Sequence, residues 1–415
     1  MFKKILLHQW RQFGDLEIDF DPRLTVLTGQ NGTGKTTILK ILSQHFGWQA
    51  HLVGTPKYLN GNLTFRADVR RDFLQGENEE YVPSVSVGRL EYSQGEGSDI
   101  RVQTRTGDEY QPELPQRKEV VGLFVSSHRP LYQFQRISTI PTVVVQASGM
   151  YNTVLSEAAN RFRPGHNFQS PSFRLKETLV SWAVFGPGSE ILSPNPVALE
   201  AFRGFEDLLR QVLPADIGFH SLRIEMPEVV LQTDSGDFPL EGASGGVGAI
   251  IDLVWQVYLF VLANPNRDFA LLIDEPENHL HPSLQRELMP KLLGAFPRSQ
   301  IIVSTHSPFV VSADPSARVY SLRFDESNRV SAQLLDTLDK SGSANEVLRT
   351  GLGLEVTMPV WVEGKLSSIA QRFESVDAID SDTIDELRRE LRDAGLEDYT
   401  PDALTRMLQS RRDVS

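Results

Sequence analysis

Within the eight residues Gly29-Gln30-Asn31-Gly32-Thr33-Gly34-Lys35-Thr36 the chain places three glycines, one lysine and two hydroxyls. The order fits G-x-x-x-x-G-K-[ST], whose chemistry is phosphate binding. Glycines let backbone N–H groups curl around the β- and γ-phosphates of a nucleotide, Lys35 supplies a mobile positive charge, and the Thr36 hydroxyl can ligate magnesium. Thr37 extends the candidate nucleotide-binding stretch. A second group stands far downstream, where the apolar run Phe269-Ala270-Leu271-Leu272-Ile273 ends in Asp274-Glu275. Asp274 would hold magnesium through its water shell, and Glu275 would polarise an attacking water. After the next apolar run comes Ser304-Thr305-His306-Ser307-Pro308, which places His306 to reach a γ-phosphate.

These groups need elements that bring them together. Leu24-Thr25-Val26-Leu27 reads as a short strand, and Thr37-Ile38-Leu39-Lys40-Ile41-Leu42 begins an amphipathic helix, so the glycines lie at a strand-to-helix turn. Beyond Pro239 the pattern alternates: a helix from about Gly246, the strand 269–273, a helix opening at Pro282 with Leu284, Leu288 and Leu292 on one face, and the strand 300–304. Alternation of this kind predicts an α/β fold with a mostly parallel sheet, whose ligands collect at the carboxyl ends of the strands. Residues 60–106 read as strands of an antiparallel β lobe, 120–125 as a buried strand, and 150–215 as proline-interrupted helices with 198–212 the clearest. The expected organisation is 1–149, the first half of a head; 150–238, an inserted helical lobe; 239–340, the second half of the head; and 341–415, a helical C-terminal segment. In that last segment Asp382 is a candidate N-cap, Ile384, Leu387 and Leu391 share a face, and Gly395 ends the helix.

Composition narrows the function classes. Apolar content of 40% and charged content of 23% describe an ordinary globular chain of 415 residues. The net charge of −13 argues against a broadly basic nucleic-acid surface, although a local groove would not show in the sum. With no cysteine there are no disulfides and no thiolate chemistry. The N-terminal apolar run stops at His8, too short for a signal peptide, and the run 249–263 falls short of the roughly 20 residues of a membrane span. A cytoplasmic location is expected.

With the phosphate loop, the acid pair and His306 together, the chain resembles the ATP-binding-cassette ATPases of the SMC/RecF-like and OLD-like branch. The resemblance implies ATP with magnesium, sandwiched between two heads of a dimer. It makes Glu277 to Pro282 a dimer-contacting loop, which accounts for His279 and His281, and His306 a switch histidine. Ser244-Gly245-Gly246 matches the serine-glycine signature that completes the partner's site, with Ala243 in place of the usual leucine and Val247 in place of a polar residue. Two glycines opening a helix also present N–H groups to an anion from outside. The family's lobe-junction glutamine follows the strand ending near Val125; Gln133 and Gln135 both qualify, and Gln133 is the favoured magnesium ligand. Arg11 resembles an arginine that reaches the nucleotide, with a solvent-facing turn as the alternative. Without heptads, the chain is similar to compact heads such as RecF-like proteins or the ATPases of anti-phage systems such as Septu.

Val362-Glu363-Gly364-Lys365 and Asp380-Ser381-Asp382 resemble parts of a Toprim nuclease, but a metal-binding α/β nuclease needs roughly 100 residues and a helical cap fits the space better. Arg70-Arg71 and Arg388-Arg389 read as solvated faces. The expected function is an ATP-hydrolysing switch for a separate effector. A scaffold held by ATP with negligible turnover and a RecF-like DNA-repair clamp are the alternatives.

Overall fold

The computed structural model describes residues 1–59, 62–69, 84–129, 132–139, 141, 143–160, 170–336, 340, 342, 344–350, 352, 358–373 and 381–404. Arg70, Arg71, Pro164 and Asp380 lie outside the described residues. The chain folds as two compact units, Met1–Gly353 and Leu354–Ser415. This division falls one helix, Ala344–Thr350, beyond the expected start of the C-terminal segment.

The first unit is built on a ten-stranded sheet in the order Gly122–Val125, Phe269–Asp274, Ser299–Ser304, Leu24–Gly29, Arg318–Phe324, Val330–Leu334, Phe13–Asp19, Phe2–Trp10, Ser84–Tyr92, Gly97–Gln103. The first five run parallel, and the last four pair antiparallel. Parallel strands are covered on both faces, which is why 269–273 is apolar at every position rather than alternating. Leu271, Ile273, Ile301, Val303, Leu24 and Val26 pack on one face with the helix Gly245–Ala263. Ala270, Leu272, Ile302 and Leu27 pack on the other with the helix Lys35–Ser43.

Gly245–Ala263 is the one helix among the described residues long and apolar enough to cross a membrane. Here twelve of its residues are buried in the head. Its Trp255 ring lies 4.9 Å from Phe205 and 5.6 Å from Trp182, centroid to centroid, so the helix is the meeting point of Pro171–Phe185 and Pro196–Val212.

Two expectations change. The strands within 60–106 do not all form a separate lobe: Ser84–Tyr92 and Gly97–Gln103 continue the main sheet, while Thr55–Leu59, Asn62–Arg66 and Arg105–Thr106 form a small sheet of their own. Alternation reports a half-buried strand but not its neighbour. Likewise 150–238 is not all helical, because Phe219–Glu225, Glu228–Thr233 and Phe238–Pro239 make a three-stranded sheet after the helices.

In the second unit the helices Val360–Arg372 and Ser381–Asp393 enclose Val362, Leu366, Ile369, Leu387 and Leu391. Gly395, at φ 71°, lets the Leu396 N–H reach back to the Leu391 carbonyl at 2.7 Å and closes the second helix. Glu363 and Lys365 sit inside a helix rather than at a strand end, and no cluster of three potential metal ligands occurs among the described residues.

Gly29 sets the phosphate loop against the sheet. Its φ is 135°, and a Cβ there would lie 2.2 Å from the Leu322 carbonyl oxygen of the neighbouring strand. Gly29→Ala is therefore expected to lower unfolding free energy by about 2–5 kcal/mol through backbone strain and overpacking, read as a lower urea midpoint. A midpoint equal to wild type would contradict the packing described.

Candidate functional site

Three parallel strands end side by side, and the candidate groups hang from those ends. Gly34, at φ 92°, turns the loop into the helix Lys35–Ser43. Only glycine fits: a Cβ would lie 2.4 Å from Phe13 Cζ and 2.5 Å from Gln12 Nε2. Gln30, Asn31 and Gly32 are exposed, and space around Gly32 is open. Lys35 is buried, with its Nζ donating to the Gly29 carbonyl at 2.9 Å and the Gln30 carbonyl at 3.0 Å. Desolvation pulls its ammonium down to about 8, against the attraction of Glu275, Asp274 and Glu277.

Asp274 joins the strand ends. It is buried and accepts hydrogen bonds from Thr36 Oγ1, 3.1 and 3.2 Å from its two oxygens, and from Ser304 Oγ. Register makes this possible, since Asp274 pairs with Ser304 across parallel strands. Burial raises its carboxyl above the usual range, opposed by the Ser304 and Thr36 hydrogen bonds. A hydroxyl and a carboxylate at this spacing are the oxygen donors magnesium prefers, so Thr36 and Asp274 fit the ion that the sequence implied.

Glu275 has φ 49°, with its N–H bonded to the Ser304 carbonyl at 2.9 Å. Its Oε2 accepts from Asn278 Nδ2 at 2.8 Å, and the same amide nitrogen donates to the Ser127 carbonyl at 3.2 Å. Glu277 turns inward: its Oε1 accepts from Thr305 Oγ1 at 2.7 Å and from the His306 N–H at 2.8 Å. It thus fixes the loop that carries His306. Burial, with the nearby Lys35 charge second, lowers the His306 imidazolium below its ordinary value, against the attraction of Glu275 and Asp274.

Ser244 caps the helix Gly245–Ala263, its Oγ accepting from the Val247 N–H at 3.5 Å. Gly246 packs on the His279 carbonyl, 3.1 Å from where a Cβ would stand. The turn before it is anchored by Lys176, a fully buried cation 2.6 Å from Glu241, 2.7 Å from Glu228 and 2.7 Å from the Gln135 carbonyl. His281 is the N-cap of Pro282–Ala295, a structural task the sequence did not reveal.

Two expected residues make other contacts here. Gln133 is exposed, with its N–H bonded to Ser170 Oγ at 3.0 Å and its carbonyl to Ser172 Oγ at 3.3 Å. Gln135 Oε1 accepts from the Ser170 N–H at 3.0 Å. No described contact brings either to Asp274. Arg11 is half-buried rather than solvent-facing, its Nη1 donating to the Val53 carbonyl at 3.2 Å and Tyr110 Oη at 3.4 Å. The neighbours Gln12 and Phe13 are what meet the phosphate loop. The segment after Val125 is what reaches this loop: Arg129 Nη2 donates to the Glu275 carbonyl, and the Ser127 carbonyl accepts from Asn278 Nδ2. Arg129, Ser304 and Gln12 are site residues that the motifs do not mark, and Asn278 serves Glu275 from within the loop Glu277 to Pro282. Adjacency to Val125 was the available signal for Arg129, and the strand end was the signal for Ser304.

The comparisons fall on both halves of this site. A family model described as "AAA domain" matches residues 4–137, and one described as "AAA domain, putative AbiEii toxin, Type IV TA system" matches residues 201–312. Septu protein PtuA of Bacillus thuringiensis is 26% identical over 165 residues, covering 37% of this chain and 42% of its own length. OLD nuclease of Thermus scotoductus is 24% identical over 369 residues, covering 85% of this chain and 68% of its own. Retron Ec83 probable ATPase of Escherichia coli is 33% identical over 127 residues, covering 28% and 23%. The chain thus spans less than half the length of the Septu and retron relatives. Among solved structures, the SMC head domain from Thermotoga maritima aligns over 81% of this chain and 99% of its own, at 15% identity and TM-score 0.41. The resemblance read first from the motifs, to ATPases of the OLD-like branch and of Septu, holds across these sequences, and the retron relative adds to it.

The depressed Lys35 has a measurable consequence. Phosphate favours its ammonium, so nucleotide binding above about pH 8 must take up a proton, and affinity should fall by up to about tenfold per pH unit until the raised pKa of the complex is reached. Calorimetry of Mg-ATP binding to a Glu275→Gln protein, in two buffers of different ionisation enthalpy, checks this. Affinity constant from pH 7 to 10 would contradict it.

Proposed function

We propose that this chain is an ATP-hydrolysing head whose two copies close around ATP and reopen on hydrolysis, switching a separate effector in bacterial anti-phage defence. The observation that carries the reading is the convergence of Thr36, Asp274 and Ser304, with Glu275 and His306 one residue and two residues beyond the last two. Relatives named as Septu, OLD and retron proteins support the defence setting. The net charge of −13 favours a protein effector over a DNA clamp.

In this reading Lys35 leaves the Gly29 and Gln30 carbonyls to meet the β- and γ-phosphates, and the N–H groups of residues 29–37 line the rest of the phosphate chain. Thr36, through its hydroxyl, and Asp274, through water, would hold magnesium, which would supply screening of the charge on the phosphates. Glu275, aligned by Asn278, polarises the attacking water. His306 offers a ring N–H to the γ-phosphate. Ser244, Gly245 and Gly246 complete the site of the second copy. Arg11 acts through the turn it shares with Gln12, and Gln133 stays outside the magnesium shell.

Light scattering of Glu275→Gln with and without Mg-ATP tests the switch. Loss of the water-polarising carboxylate should reduce turnover by about 10²–10⁴-fold while trapping an ATP-dependent dimer. Adding Lys35→Ala should remove both nucleotide binding and the dimer. An unchanged mass on adding ATP would overturn the closing-head reading.

A further inference from the structure

A non-glycine residue held at φ 49° requires a reason, and Glu275 has one in Arg129. Arg129 Nη2 donates to the Glu275 carbonyl at 2.8 Å and to the Pro276 carbonyl at 3.2 Å, while the Asn278 N–H reaches the same Glu275 carbonyl at 3.1 Å. The arginine is 6% exposed, and its Nε is buried with no hydrogen-bond partner. Burial disfavours its charge, and four carboxylates oppose that: Asp252, Glu277, Asp274 and Glu275. A buried guanidinium so placed keeps its charge, with Nη2 committed to the two carbonyls and Nε–H unpaired.

The same side chain walls a cavity of about 160 Å³ at the start of the helix Gly245–Ala263, together with Tyr132, Ser244, Gly245, Gly248 and His279. Tyr132 Oη is likewise buried without a partner. The start of that helix, the Arg129 side chain and Tyr132 thus line one small cavity, a combination suited to a phosphate-sized anion.

We propose that Arg129 is a positioning residue that joins the two nucleotide sites of the closed dimer. The inference rests on the closing-head reading. The terminal phosphate of the nucleotide held by a second copy would arrive at Ser244 and Gly245 and engage Arg129. Arg129 in turn sets the backbone of Glu275, which serves the nucleotide bound by its own subunit. Occupancy of one site is thereby reported to the acid of the other, giving positive coupling. Lysine in place of arginine keeps the charge but loses the fork that spans the cavity and two carbonyls.

The test is amide exchange over residues 274–281 in the full-length Glu275→Gln protein, with and without Mg-ATP, at concentrations where light scattering shows the dimer. ATP is expected to slow exchange in this segment on the order of tenfold, and Arg129→Lys in the same background should abolish the slowing while the dimer still forms. Equal slowing in both proteins would overturn the proposal. Absence of any dimer in Glu275→Gln itself would instead sink the closing-head reading, so the two failures are distinct. Should Arg129→Lys not fold, as judged by thermal unfolding, Arg129→Gln in the same background decides: loss of the slowing with the dimer intact supports the proposal, and slowing equal to that of the Glu275→Gln protein overturns it.

Discussion

The Asp274 carboxylate, buried at the end of an apolar strand, is the interaction on which the site depends. Removing a carboxylate from water is costly unless hydrogen bonds replace the lost solvation, and here Thr36 and Ser304 supply them from two other segments of chain. Because the compensation comes from the phosphate-loop helix and from the neighbouring strand, satisfying this one group forces three strand ends into register. Glu275 and His306 then follow at fixed offsets.

Around that node the backbone is held away from its relaxed geometry. Gly29 and Gly34 adopt conformations and close approaches that a Cβ would forbid, while Glu275 and His279 lie at positive φ without being glycine. Such strain persists only where the surroundings over-determine it. At Glu275 the Arg129 guanidinium, the Asn278 amides and the Ser304 carbonyl do so. Glu277, at the start of the loop expected to face a partner, secures the His306 loop from within.

The signature turn depends on a second buried charge. Lys176, from the lobe, has no solvent exposure and is neutralised by Glu228 and Glu241. A buried cation of this kind is weak evidence for stability, but breaking one partnership would leave an uncompensated charge. It therefore restricts where the residues just before Ser244 can sit, and links their position to the three-stranded sheet through Glu228.

The sequence by itself determined the chemistry and the alternation of elements. The phosphate loop, the acid pair and the histidine are short-range patterns, and strands buried on both faces must be written as continuous apolar runs, so 24–27, 269–273 and 300–304 were legible. Tertiary structure decided what depends on residues distant in the chain: that Ser304 and Thr36 share Asp274, that Arg129 rather than Gln133 reaches the acid pair, that His281 is a helix cap, and that the strands 84–92 and 97–103 extend the main sheet. The physical reason is that period and spacing report burial and local conformation, whereas a hydrogen bond between residues 238 positions apart is chosen by the packing that brings them together.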